Sequence, residues 1–187
     1  TGETTQTIEV SETGNYSVEV GGNSSEGVEN NYSMYFDGES ATISTEIPYN
    51  FLLGEESLTF IVDILWNGDL NGSDQGIIGN VYSYNSQFGL GIKPQGIPYF
   101  AFKDNSDTPW QDAFLETVNL SDSEVWFNLA ISIYDNTLIW YLNGEIVEID
   151  DVVFNALSSE TTNVPNIFMG MSNLLYNETL FNGFMDN

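Results

Sequence analysis

EVWFNLAISIYDNTLIWYLNGEIVEID, residues 124–150, holds three runs with the periodicity of β-strands and the two turns that join them. In the first, Phe127, Leu129, Ile131 and Ile133 alternate with polar or small residues; in the second, Leu138, Trp140 and Leu142 do the same. The third, around Ile146 and Ile149, is less regular. Successive side chains of a strand point to opposite faces, so the first two runs each present an apolar face that must be covered. The connections fall at Tyr134-Asp135-Asn136-Thr137 and at Asn143-Gly144, where Asn and Gly tolerate the positive φ of a tight hairpin turn. The stretch therefore predicts an antiparallel meander with one face in a sheet-on-sheet core.

Working outward, the same stretch carries a resemblance. Trp126-Phe127-Asn128-Leu129-Ala130, then Trp140-Tyr141-Leu142-Asn143-Gly144-Glu145, resembles the pattern of a laminin-G-like domain of the concanavalin A-like superfamily. Asn128 stands where many members of that family carry His. Four further marks follow the family order: Tyr32-Ser33-Met34-Tyr35-Phe36-Asp37-Gly38 at the opening, Ser57–Trp66, Pro165–Met171, and Phe181–Asn187 at the close. The resemblance implies an all-β, concanavalin A-like jelly-roll sandwich of two antiparallel sheets. It leaves the ligand open, because this fold serves lectins, adhesion modules and glycoside hydrolases alike.

Within that frame Leu58, Phe60, Val62, Ile64 and Trp66 alternate against Thr59, Ile61, Asp63 and Leu65. Short strands are expected at 77–82, 87–93 and 97–103, with Pro94-Gln95-Gly96 turning the chain between the last two, and a weaker strand at 113–119. Residues 1–20 read as a hairpin resembling the close of an immunoglobulin-like surface-protein repeat, the alternative being the first hairpin of the jelly roll itself. Residues 21–31 read as a linker, with Val28 as the single apolar side chain of Gly21–Asn30. That places the jelly roll at 32–187, with Phe181–Asn187 as a family signature cut short before a last strand and a sheet edge left unpaired there.

Charge narrows the partners. The chain has 28 Asp and Glu against 2 Lys and Arg, a net charge of -26, and its cations are Lys93 and Lys103. Such a surface repels phosphate backbones and anionic lipid, so no nucleic acid and no membrane insertion is expected. There is no Cys and no His, which removes thiol chemistry, the commonest general base and the usual zinc sites. Asn-x-Ser/Thr triplets such as Asn71-Gly72-Ser73 follow from the abundance of these residues.

Retaining glycoside hydrolases of the superfamily carry an E-x-D-x-x-E run, whose two glutamates sit about 5 to 5.5 Å apart. Here Glu148 and Asp150 share a strand face, but Val153 stands at the second glutamate's position, so that mechanism lacks its partner. The chain is expected to be non-enzymatic. Two binding sites are expected instead. Asp37 and Asp186, on strands that the resemblance makes neighbours, are candidates for a shared structural calcium, or each caps a turn. Asp69, Asn71 and Asp74 from one loop, with Asp104, Asp107 and Trp110 from another, are candidates for a rim that holds a polysaccharide or surface glycan. Trp66 shares the phase of Phe60 and Ile64, which makes it a core position rather than part of that rim. The expected role is a carbohydrate-binding or adhesion module, extracellular or at the cell surface beside neighbouring domains of a longer chain. The alternatives are a spacer in a surface filament and an ancillary domain of a glycoside hydrolase.

Overall fold

The computed structural model describes residues 8–9, 33–45, 57–68, 72–79, 88–102, 111–120, 125–154, 167–171 and 179–186. These form two sheets of seven strands each, and among the described residues there is no helix. The sheet with the longer strands, and in that sense the larger, runs in the order β1 (Ile8–Glu9), β2 (Met34–Asp37), β14 (Asn182–Asp186), β4 (Ser57–Trp66), β9 (Trp126–Tyr134), β10 (Thr137–Leu142), β11 (Glu145–Asp151). The smaller runs β3 (Ile43–Ser44), β12 (Phe168–Met169), β5 (Gln75–Gly79), β6 (Phe88–Ile92), β7 (Pro98–Phe102), β8 (Gln111–Phe114), with β13 (Thr179–Leu180) beside β5. All pairings are antiparallel except β1 with β2 and β13 with β5. The chain is an all-β jelly-roll sandwich.

The alternation that suggests the meander also sets its register. Leu129, Ile131 and Ile133 of β9 and Leu138 and Trp140 of β10 are buried, in phase with Leu58, Val62, Ile64 and Trp66 of β4. Across the sandwich they meet Phe88, Leu90 and Ile92 of β6 and Phe100 and Phe102 of β7. The Phe60 ring bridges the layers, its centroid 4.8 Å from that of Phe88. Each such side chain contributes about 1.5–3 kcal/mol by leaving water, and so many together make the core the main source of stability. The hairpin turns have the mirror-image geometry that right-twisted strands favour: φ is 48° and 60° at Asp135 and Asn136, and 53° and 81° at Asn143 and Gly144.

The closing segment supplies β14, which lies inside the larger sheet, paired with β2 on one side and β4 on the other. Gly183 makes this possible, because its φ of 152° and the Leu65 carbonyl against it leave no room for a Cβ. Within residues 1–20, Ile8–Glu9 adds to β2 as a parallel strand; the remainder of that segment and the linker at 21–31 lie outside the described residues. The strand expected over 113–119 runs over 111–114 and then turns, with Leu115 and Leu120 buried below it.

Candidate functional site

Of the six loop residues expected to form a glycan rim, Asp69, Asn71, Asp104, Asp107 and Trp110 lie outside the described residues. Asp74 is described, and its Oδ2 lies 2.6 Å from Lys93 Nζ. Trp66 is in the core, as its phase implies, and its indole Nε1 donates to Gln75 Oε1 at 2.9 Å. Gln75 is a buried junction between the sheets. Its Oε1 also accepts from the Asn182 N–H at 3.0 Å, and its Nε2 donates to the Gly68 carbonyl at 3.0 Å.

Asp37 and Asp186 do not come together. Asp37 pairs with Asn182, four residues before Asp186, which puts the two about 13 Å apart along the sheet. Two oxygens on one calcium ion are separated by at most about 5 Å, so these carboxylates do not share one. Asp37 caps its turn: its Oδ1 accepts from the N–H groups of Glu39, Ser40 and Ala41 at 2.8–2.9 Å, and its Oδ2 accepts from the Ser40 hydroxyl at 2.7 Å. Burial alone would raise its carboxyl, but these donors outweigh burial and hold it well below the usual carboxylate range. Among the described residues no group of three or more acidic, His or Cys side chains converges on a metal position.

Glu148 and Asp150 share the inner face of β11, opposite Trp140 and Leu138, as the strand period implies. Glu148 accepts from the Thr117 hydroxyl at 2.9 Å. Burial raises the Asp150 carboxyl, the Glu148 charge adds to that, and the nearby Trp140 indole only partly offsets it. Neither Trp140 Nε1 nor Asp150 Oδ2 completes a hydrogen bond.

The surface that stands out is one that residue-type reasoning passed over: the outer face of the larger sheet. Register arranges its outward side chains in rows across the strands. Tyr35, Phe184, Leu65 and Trp126 form one row, over β2, β14, β4 and β9. Beside it Asp186, Asp63 and Asn128 form a polar row. Ile61, Ala130, Tyr141 and Ile146 form the next. The Tyr35 and Phe184 rings lie 4.9 Å apart, while Trp126 is 42 % and Ile61 62 % exposed. In the polar row Asn128 Nδ2 donates to Asp63 Oδ1 at 2.8 Å, and the Asn128 N–H donates to Asn143 Oδ1 at 3.0 Å. These bonds fix the planar amide and carboxylate between two apolar rows. At strand spacing the aromatic row spans about 14 Å, enough for a short oligosaccharide. The signal was present in the sequence: Ile61, Leu65, Trp126 and Tyr141 are apolar or aromatic at positions whose phase points away from the core.

No protein-family model matches the chain, and no curated protein sequence is similar to it. Solved structures share its fold. The CBM40 of the Ruminococcus gnavus IT-sialidase, bound to alpha2,3 sialyllactose, superposes with a TM-score of 0.52 at 18 % identity, over 70 % of this chain and 72 % of that one. NanB sialidase from Streptococcus pneumoniae gives 0.59 at 18 % identity, over 82 % of this chain and 24 % of the sialidase. Botulinum neurotoxin type C, whose cell entry depends on interaction with two ganglioside molecules, gives 0.50 at 16 % identity, over 73 % of this chain and 33 % of the toxin.

Proposed function

We propose that this chain is a non-catalytic carbohydrate-binding module that holds a glycan on the outer face of its larger sheet. The observation that carries the reading is the juxtaposition of rows: exposed Trp126 and half-buried Tyr141 on either side of the hydrogen-bonded Asp63–Asn128 pair. Sugar rings offer apolar C–H faces to aromatic side chains and hydroxyls to planar acceptors and donors, and this face supplies both at strand spacing. The solved structures of similar fold include modules that bind sialyllactose and gangliosides, which supports the ligand class. An extracellular or cell-surface setting beside other domains accords with that role and with the acidic composition, and the laminin-G-like marks accord with an adhesive variant of it. With Val153 where a second catalytic glutamate would stand, Glu148 and Asp150 have no partner for hydrolysis.

The test is binding to an array of polysaccharides, run with millimolar calcium and with chelator, on the protein and on two variants. Trp126→Ala combined with Tyr141→Ala should weaken binding about 10- to 100-fold with the melting temperature nearly unchanged, since exposed aromatics contribute little to the core. Trp110→Ala should leave affinity as it was. The reverse pattern would move the site to the loops of Asp69, Asn71, Asp74, Asp104 and Asp107. No binding to any glycan in either condition would favour a spacer.

A further inference from the structure

Among the described residues the proposed glycan face carries no positive charge, and this bears on which sugars it accepts. The chain has no Arg and two Lys. Lys93 belongs to the other sheet's outer side, where its Nζ is 2.6 Å from Asp74 Oδ2 and lies over the Tyr99 and Phe114 rings at 4.7 and 5.4 Å from their centroids. Lys103 lies outside the described residues. On the larger sheet's outer face, by contrast, Asp186 and Asp63 are direct cross-strand partners, and Asp151 closes β11.

Resting on the proposed glycan site, we infer that the module selects uncharged glycans rich in hydroxyl donors and rejects uronate, sulfated and sialylated ones. Carboxylates accept hydroxyl hydrogens in short, charge-assisted bonds, so Asp63 and Asp186 suit a neutral hexose polymer that presents vicinal hydroxyls. An anionic sugar on the same rows would place its charge beside two aspartates, where the described residues offer no guanidinium or ammonium to pair it. Like charges about 4 Å apart repel by enough, even at a wet surface, to weaken binding by about ten-fold or more. The chain thus shares the fold of a module solved with sialyllactose while its own face disfavours anionic sugars.

A matched ligand pair tests this. The neutral polysaccharide that binds best is compared, by titration calorimetry at low ionic strength, with the same polymer oxidised to carboxylate at its primary hydroxyls. The oxidised polymer should bind at least about ten-fold more weakly, and the gap should narrow at 0.5 M salt, where charges are screened over a few ångströms. Asp63→Asn with Asp186→Asn should shrink the gap, whatever its effect on neutral binding. Equal affinity for the two polymers, or binding confined to anionic glycans such as sialyllactose or polyuronate, would overturn the charge selection while leaving a glycan site in place. Failure of every glycan to bind would instead overturn the functional proposal on which it rests.

Discussion

The two outer faces of the sandwich have been finished in opposite ways. On the smaller sheet the outward positions of β5, β6 and β7 that share one cross-strand row are Gly76, Gly91 and Tyr99. The Tyr99 ring lies against Gly91 and is 5 % exposed, with Lys93 above it and Asp74 holding the lysine. That face satisfies itself: aromatic, cation and carboxylate are partnered within the fold. On the larger sheet the corresponding layer presents Trp126 and Ile61 to solvent, in ordered rows beside fixed polar groups. A side chain that evolution leaves exposed and immobilised is available to a ligand, whereas one laid over glycine is part of the wall. The contrast gives stability to one face and, on the proposed function, recognition to the other.

The strongest challenge to that division is the residue that joins the sheets. Replacing Gln75 with Leu would strand the Trp66 indole N–H and the Asn182 N–H, both donors to its Oε1, and the Gly68 carbonyl that accepts from its Nε2. At about 1–3 kcal/mol for each orphaned group, part of it relieved by relaxation, the loss should be roughly 3–5 kcal/mol. In a chain of this size that corresponds to a fall of roughly 8–15 °C in melting temperature. Glycan affinity of the folded fraction should hold. A fall of less than about 3 °C would show that the junction is dispensable, and loss of affinity at unchanged fold would tie it to recognition.

A smaller effect is expected from Gly91→Ala. A Cβ there would come within 2.6 Å of the Gln75 carbonyl oxygen and 2.7 Å of two Tyr99 ring atoms, so the ring or the backbone must move. Overpacking of this kind costs about 1–3 kcal/mol, roughly 3–8 °C. Ile61→Ala on the opposite face should change stability by no more than about 0.5 kcal/mol. Thermal melts of the two variants side by side measure the asymmetry directly, and equal shifts would erase it.

How much of this was legible in advance depends on how far apart in sequence the interacting residues lie. The β9–β10–β11 meander and the phase of β4 could be read because period-2 alternation and positive-φ turns are local signals. The Lys93–Ile97 turn is of the same kind, with the Gly96 N–H donating to the Lys93 carbonyl at 2.8 Å. The place of β14 between β2 and β4 joins segments more than a hundred residues apart, and no local pattern encodes such a neighbour. A polar residue flanked by Asp and Gly, as Gln75 is, usually belongs to a turn; only the approach of Trp66 and Asn182 reveals a buried acceptor. The Asp37–Asp186 pairing failed for a simpler reason: neighbouring strands were inferred without a register, and the register sets the two residues at opposite ends. The proposed recognition face is legible in the opposite sense, as apolar residues at the outward phase, but which of them line up across the sheet depends on the register.

The subtlest expected effect concerns β11, the edge strand of the larger sheet. Asp150 points inward from β11 while its neighbour Ile149 points outward, 59 % exposed. Because burial and the charge of Glu148, with lesser contributions from Asp151 and Glu116, raise the Asp150 carboxyl, the folded chain binds its proton more tightly than the unfolded chain does. The associated stability is complete below the unfolded carboxylate range, near pH 4, and is lost as pH rises through the folded value. At neutral pH the ionised group is therefore a small liability, and Asp150→Asn should raise the melting temperature by about one or two degrees. The gain should disappear in melts taken below about pH 4, where the wild-type carboxyl is itself protonated. A lower melting temperature at neutral pH would mean that attraction to the Trp140 indole outweighs the surrounding negative charge. Affinity for glycan should be the same in both proteins, because the substituted group lies on the core side of the strand; a change would extend the recognition surface around the edge at β11 and blur the separation between the two faces.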